Sequence, residues 1–466
     1  MKERIRFDRY LDHLSGSLGH ADRVAGLKGY CTGLMMPLER KSVEPMAAGL
    51  DPRHSSARHQ ALHHFVAKAD WSDESLLQAV AAWVVPKMKL EEAAWIIDDT
   101  GMPKKGKHSV GVARQYCGQL GKQDNCQVAV SISLATEQAS LPMAYRLYLP
   151  KEWAEDKGRR RKAGVPNEIL FATKTEIALE QLEALLSRGY PKCCVLADAA
   201  YGVDTAFRQR LSELGLQYMV GVTSAVVVWP PGVTPLPPKG YSGNGRPPVM
   251  PRRTRTRQPV NVKTLAMRLP PSAYQTISWR EGTNASLRGR FAAVRVRHAG
   301  GNSGRARLRP EQWLLIEWPA SDAEPLKYYL SSLPAETSLN DLVAMAHRRW
   351  RIERDYQDLK QEFGLDHYEG RGWRGFHHHA ALTIAAYGFL MSERLSTSSS
   401  SKKNFILSEI PVLPGNYIPR GSPARPASRR RLTRDPAPRT QRATARTDAP
   451  VPVLRKSRRK AKFVTQ

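Results

Sequence analysis

Acidic residues are in short supply in this chain: 43 Asp and Glu stand against 72 Lys and Arg, a formal charge of +29 over 466 residues. Such an imbalance suits a polyanionic partner. No stretch approaches the roughly 20 continuous apolar residues of a spanning helix, which sets a membrane aside and leaves nucleic acid as the expected polyanion. Cysteine is also scarce. The five present (Cys31, Cys117, Cys126, Cys193, Cys194) are odd in number and show no paired metal spacing. The N-terminal Met1 to Asp8 lacks the apolar core of a signal peptide, so the expectation is a reduced, cytoplasmic protein. The Gly-rich stretch from Gly106 to Gly121 contains neither G-x-G-x-x-G nor G-x-x-x-x-G-K-[ST], which leaves a nucleotide-binding loop without support.

What is there is enough apolar residue, 41%, for a globular chain of two or three domains. Residues 1–90 read as helical, with apolar positions at helical intervals around Leu62 to Val66 and Ser75 to Trp83. Arg53, His54, Arg58 and Lys68 make them a candidate DNA-end-binding domain, and a helical cap on a catalytic core is the equal alternative. From residue 91 to 222 the texture turns to short strands: Ala94 to Ile97, Cys126 to Leu134, Met143 to Leu149, Cys193 to Ala197 and Gln217 to Val222. Helices are expected at Glu168 to Arg188 and Thr205 to Leu214. The resulting order β-β-β-α-β-α-β implies an α/β core with a mixed sheet and flanking helices.

Residues 223–325 interrupt that order with Pro-rich linkers and strand-like segments at Ala292 to Arg297 and Trp313 to Trp318, a β-rich insertion. Residues 326–396 return to helix, above all Ser338 to Phe363, opened by the capping-box-like Ser338-Leu339-Asn340-Asp341 and closed by Gly364. Residues 397–466 carry 17 Lys and Arg against 3 acids, hence +14 of the total, and read as a basic disordered tail.

Two of the expected strands share one design, an apolar run ending in an acid followed by small or turn residues: Trp95-Ile96-Ile97-Asp98-Asp99-Thr100-Gly101 and Val195-Leu196-Ala197-Asp198-Ala199-Ala200-Tyr201-Gly202. If the strands are neighbours, Asp98 and Asp198 come close, which is costly unless cations lie between them. Taken singly, each Asp is more simply a cap of the following turn. On the Ser338 to Phe363 helix, Arg349, Glu353 and Lys360 stand four and seven residues apart and share a face. A solvated charged face is the bland account of them. Trp350, Tyr356 and Phe363 on the same helix imply close packing on the core, which makes Glu353 a candidate third ligand.

These stretches, with Ile97 to Gly106, Val112 to Gly121 and Arg349-Trp350-Arg351-Ile352-Glu353 continuing to Lys360, resemble the DDE transposases of bacterial insertion sequences, most closely the insertion sequence 701 family. The resemblance extends over roughly residues 1 to 390. It implies an RNase-H-like catalytic fold, with the β-rich insertion between the second and third carboxylates. It also implies Mg²⁺, with Mn²⁺ as a substitute, held by the catalytic residues Asp98, Asp198 and Glu353. Side chains alternate along a strand, so Asp98 and Asp99 cannot both face the site. The resemblance favours Asp98, two positions before Thr100. The related pattern Tyr-x2-Arg-x3-Glu-x6-Lys is met by Arg349, Glu353 and Lys360, but Ala346 stands at its tyrosine position.

The implied function is metal-dependent cleavage and strand transfer at insertion-sequence ends. The implied partners are double-stranded DNA, both terminal inverted repeats and target, and a second copy of the chain as a dimer on paired ends. Arg349, Lys360, Lys104, Lys105 and Arg114 are the candidate DNA-binding residues. A catalytically inactive DNA-binding relative and an RNase-H-like host nuclease without strand transfer are the competing functions. The run His377-His378-His379 points in three directions on a helix and cannot grip one ion, so DNA contact or surface placement is expected of it. Trp229, Trp279, Trp313 and Trp318 are expected mostly in the core.

Overall fold

The computed structural model describes residues 2–248, 251–281, 286–300 and 308–398. The tail expected from residue 397 therefore lies, from residue 399 on, outside the described residues. The chain opens with five helices: α1 (Lys2–Ser15), α2 (Val24–Met35), α3 (Val43–Leu50), α4 (Ser55–Ala67) and α5 (Asp73–Val84). In α5 the Ser72 hydroxyl accepts from the Ser75 amide, Asp73 and Glu74 occupy the first turn, and Leu76, Leu77, Val80, Ala81 and Val84 form the buried stripe. The helical reading of the first 90 residues holds.

Four strands follow, β1 (Ala94–Pro103), β2 (Ala113–Cys117), β3 (Lys122–Ala135) and β4 (Ser140–Leu147). β2 is absent from the strands expected above because its burial alternates over only five residues, with Arg114 and Tyr116 exposed. Next come the short helices α6 (Lys151–Glu155) and α7 (Lys157–Ala163), also not foreseen, and then α8 (Lys174–Ser187). The helix expected from Glu168 thus starts six residues later. Thr173 and Glu176 form a capping box that fixes its first turn, while Leu170, counted on its apolar side, is exposed.

The chain continues through β5 (Cys194–Ala197), α9 (Ala199–Gly202), α10 (Thr205–Glu213), β6 (Tyr218–Val222), β7 (Val227–Trp229), β8 (Val260–Asn261), α11 (Val262–Arg268), β9 (Gln275–Glu281), β10 (Ser286–His298), β11 (Gln312–Glu317) and β12 (Lys327–Ser331). It ends in α12 (Leu339–Arg348), α13 (Trp350–Gln361) and α14 (Trp373–Ser398). The strands lie in the order β2-β3-β1-β5-β6-β12-β11-β10-β7-β8, with β4 on β3 and β9 on β10. β1, β5 and β6 run parallel, and β3 and β12 flank them antiparallel. The strands of the interrupting segment are hydrogen-bonded into the same sheet as the rest, through β11 on β12 and β12 on β6.

The helix expected over Ser338 to Phe363 is two. Ser338 caps α12, accepting from the Asp341 amide, but the bond pattern tightens at Arg349, where the Ile352 amide donates to the Arg349 carbonyl at 3.2 Å. Gly364 has φ +67°, the left-handed geometry expected after a helix end.

The buried helix α14 packs between the N-terminal helices and β4. Tyr10 donates to the Ala385 carbonyl at 2.8 Å, and the Phe7 and Phe389 rings meet edge-on at 4.9 Å. This corrects the placement of the histidine run. His377, His378 and His379 are all buried. His377 accepts from the Leu147 amide, His379 lies 2.9 Å from both the Tyr30 hydroxyl and the Gly364 carbonyl, and His378 stacks on Trp71 between the Val66 and Trp71 carbonyls. Burial pushes His378 and His379 down to about 4. They are core groups that serve backbone atoms, because helix α14 has no solvent face at this point.

All five cysteines are buried and unpaired. Burial pushes Cys31, Cys126 and Cys194 up to about 12 and Cys193 to about 11, so little thiolate exists at pH 8. A disulfide-exchange reagent at pH 8 is expected to find essentially no fast thiol in the native protein and all five after denaturant. One or more thiols reacting at the free-cysteine rate in the native protein contradicts this packing.

Candidate active site

β1 and β5 pair in register from Ala94 opposite Cys194 to Ile97 opposite Ala197. The next residues on each, Asp98 and Asp198, therefore stand abreast where the two strands part. Asp198 caps α9, its Oδ1 accepting from the Ala200 and Tyr201 amides at 2.9 and 3.4 Å. The capping role and the site role are thus compatible. Asp98 Oδ1 accepts from the Asp99 amide at 3.0 Å, and its Oδ2 faces Arg349 Nη1 at 3.3 Å. Burial pushes the Asp98 carboxyl up to about 7, Arg349 opposes the rise, and Asp198 and Asp99 add to it.

Asp99 goes to the other side of the strand, where it pairs with Lys174 on α8. Strand alternation thus separates the two neighbouring acids, and Asp98 is the one that shares a face with Arg349. Arg349 also reaches Glu353, Nη2 to Oε1 at 3.5 Å. The guanidinium stands between Asp98 and Glu353, and Glu353 itself is two-thirds exposed. Among the described residues no three His, Cys, Asp or Glu side chains are close enough to hold one metal ion. Glu353 is linked to Asp98 through Arg349 rather than directly. Asp198, Arg349 and Glu353 line a cleft of about 570 Å³ that also takes in Lys263, Lys327 and Trp350.

The other expected residues divide. Lys360 Nζ donates to the Gly101 carbonyl at 2.9 Å and to Gln119 Oε1 at 3.3 Å, and Lys104 Nζ donates to the Tyr368 carbonyl at 2.9 Å. The Lys360 ammonium is turned against β1 and that of Lys104 against the segment between α13 and α14, while Lys105 and Arg114 are exposed. Trp350 is not core; it is 36% exposed at the cleft, whereas Tyr356 and Phe363 are buried as expected. Of the four tryptophans in the interrupting segment, Trp229 is buried, and Trp279, Trp313 and Trp318 pack partly buried against the core.

Three features escaped the sequence reading. Asp355, two residues after Glu353, is fully buried, its Oδ1 accepting from Tyr387 at 2.8 Å and its Oδ2 from Ser140. The Tyr356 hydroxyl bonds Ser131 on β3. Asp355 stands within the buried stripe Ile352, Tyr356 and Leu359, and an acid on an apolar stripe was a signal that could have been used. The third is a pair of glycines. A Cβ on Gly202 would lie 1.9 Å from the Gly221 carbonyl oxygen, and one on Gly221 would lie 3.0 Å from the Ala199 amide. α9, which Asp198 caps, sits on β6 at that distance because neither residue has a side chain.

The family model described as DDE superfamily endonuclease matches residues 13–286. The chain belongs to the DDE superfamily endonucleases. The matched span includes Asp98 and Asp198 and stops before Glu353. A probable transposase for insertion sequence element IS701, from Microchaete diplosiphon, is 34% identical over 195 residues. That alignment covers 41% of this chain and 47% of the relative, so the match spans about half of the relative's length.

Two substitutions test how this candidate site is supported. Gly202→Ala is expected to cost at least ~1–3 kcal/mol in urea unfolding, since a backbone carbonyl cannot step aside as a flexible side chain can. Asp355→Ala leaves the Tyr387 and Ser140 hydroxyls unsatisfied and is expected to cost about 1–3 kcal/mol. Wild-type unfolding midpoints for both would refute the contacts.

Proposed function

We propose that this endonuclease is a transposase that cuts the ends of an insertion sequence and transfers the freed strands to target DNA, with Asp98, Asp198 and Glu353 as its metal-holding carboxylates. The observation that carries the reading is the in-register pairing of β1 and β5, which sets Asp98 abreast of Asp198, a residue that lines the cleft. Helical spacing brings Glu353 to the same guanidinium that touches Asp98. The likeness to the probable IS701 transposase supports the class of reaction.

The donor chemistry, all carboxylate oxygen, suits a hard divalent cation, Mg²⁺ with Mn²⁺ as a substitute, although Glu353 is paired with Arg349 and would have to move toward Asp98 and Asp198 to share an ion with them. Asp98 and Asp198 would hold it, and Glu353 would complete the set. When bound, such ions activate the attacking oxygen and stabilise the leaving one. The chain's own groups do the rest. Arg349 balances the carboxylates and is placed to take up a phosphate at the scissile bond. Lys360 spends two of its three N–H groups on Gly101 and Gln119, which leaves one for the DNA end. The exposed Lys105 and Arg114 add phosphate contacts.

The strand order β4-β3-β1-β5-β6 supports an RNase-H-like core, with residues 223–325 as an insertion that extends its sheet. Residues 1–90 are proposed to contact the element ends through the exposed Arg53, His54 and Lys68, and two copies are proposed to act on paired ends. Among the described residues no helix is long and apolar enough to cross a membrane. A cytoplasmic, nucleoid-bound protein is the setting that this reading implies.

Incubating the purified protein with linear DNA carrying the element ends, with and without Mg²⁺, tests the proposal. Cleavage at the element boundary and strand-transfer products are expected; cleavage alone would mean a host nuclease, and neither would mean an inactive DNA-binding relative. Asp98→Asn, Asp198→Asn and Glu353→Gln should each lower cleavage by roughly a thousandfold or more, on the scale of removing transition-state charge stabilisation, with end binding retained. Asp99→Asn should keep most activity. The reverse order for Asp98 and Asp99 would reassign the site.

A further inference from the structure

α7 has the sequence Lys157-Gly158-Arg159-Arg160-Arg161-Lys162-Ala163, five cations in seven residues. Like charges at Lys157 and Arg161, one turn apart, repel, and a cation in the first turn opposes the helix dipole. The dipole rationalises the basic last turn but not Lys157. Arg160 is used internally, donating to the Ala154 and Pro166 carbonyls, and Arg159 lies over the Trp153 ring at 3.7 Å. Lys157, Arg161 and Lys162 are exposed, and no ion pair involves them among the described residues. The nearest acids are engaged elsewhere: Glu155 with Lys151, and Asp156 as the cap of α7 itself.

The helix does not stand alone. Arg159 donates to the Lys107 carbonyl at 3.4 Å, which seats α7 on the loop that follows β1. Trp153 donates to the Val112 carbonyl, and the Val110 amide donates to the Arg371 carbonyl. Ala163 approaches Gly372. Lys105, Lys107, His108 and Arg371 are all exposed on these segments. Three separate parts of the chain thus converge to present cations that make no ion pair among the described residues.

A line of basic groups also leads here from the carboxylates. Arg349 lies at Asp98, Lys360 at the Gly101 carbonyl, and Lys104 at the Tyr368 carbonyl. Each step runs further along β1 in the direction of its C-terminal end. At about 3.3 Å per residue, Lys105 begins roughly 20 Å from Asp98. Duplex DNA repeats every 3.4 Å along one strand, so that separation is about six base pairs.

We propose that α7, the Lys105–His108 loop and Arg371 form a clamp on the phosphates of duplex DNA about six base pairs from the scissile bond, independent of base sequence. The clamp deepens the transposase reading above and rests on it. Its contacts are point charges on phosphates, so it contributes affinity and register but no sequence preference.

The test compares the full-length wild type with Lys157→Gln/Arg161→Gln/Lys162→Gln, three exposed changes to a good helix former, after matching their thermal melts. The probes are fluorescein-labelled 30-base-pair duplexes, one carrying the element end and one of random sequence, titrated from low to moderate salt. Each lost phosphate contact should lower the slope of log affinity against log salt by about 0.9, hence by roughly 2 to 3 for the triple variant, on both duplexes. Hydroxyl-radical protection about six base pairs from the cut should vanish, while protection at the cut persists. Cleavage of an element-end duplex trimmed to about three base pairs on that side should match the wild type, because it never reaches the clamp. Equal salt slopes and unchanged protection overturn the clamp. A lower slope on the random duplex alone assigns these cations to target DNA and overturns the placement beside the cut. A wild type that neither binds nor cleaves DNA overturns the transposase reading itself, a separate outcome.

Discussion

Two carboxylates set side by side repel each other, and the surroundings of Asp98 and Asp198 are arranged around that repulsion. Parallel pairing of β1 with β5 creates the problem, since in-register parallel strands point equivalent residues the same way. Local hydrogen bonds relieve it in part. Asp198 is stabilised by the amides of the helix it caps, and Asp98 by one amide and a guanidinium. Burial first, with Asp198 and Asp99 adding to it, leaves the Asp98 carboxyl raised to about 7 despite Arg349.

The position of Arg349 follows from how α13 is anchored. Ile352, Tyr356 and Leu359 press the helix on the sheet, and Asp355 fixes it through Ser140 on β4 and Tyr387 on α14. Burying that acid is tolerable because both of its oxygens are satisfied. Through α14 the same bonds reach the N-terminal helices, so the first 90 residues and the carboxylates share one core. The helical cap weighed from sequence describes this packing, and contact of those helices with DNA is compatible with it.

The candidate site was legible where function imposes a residue type at a strand end: an apolar run, an acid, then small residues, twice. Arg349, Glu353 and Lys360 were legible as a helical face. The supporting contacts were not, because they pair residues far apart in sequence that carry no local pattern, such as Lys174 with Asp99, Asp355 with Ser140, and Gly202 with Gly221. The histidine run shows the opposite error. Three consecutive polar residues suggest a surface, yet α14 is enclosed on every side around them and each imidazole finds a backbone partner.

By itself the sequence determined many of the local alternatives: the long helices and the main strands of the core, the Ser338 cap, a strong excess of positive charge, and that three acids stand out. Period and propensity act over a few residues, so they decide such matters without the rest of the chain. Only the tertiary structure decided that β1 and β5 are parallel neighbours in register, that Asp98 rather than Asp99 meets Arg349, that the strands after residue 223 lengthen one sheet, and that α7 meets the loop after β1. Each of these is a contact between distant segments. Its free energy comes from burial and pairing that exist only once the chain has closed on itself.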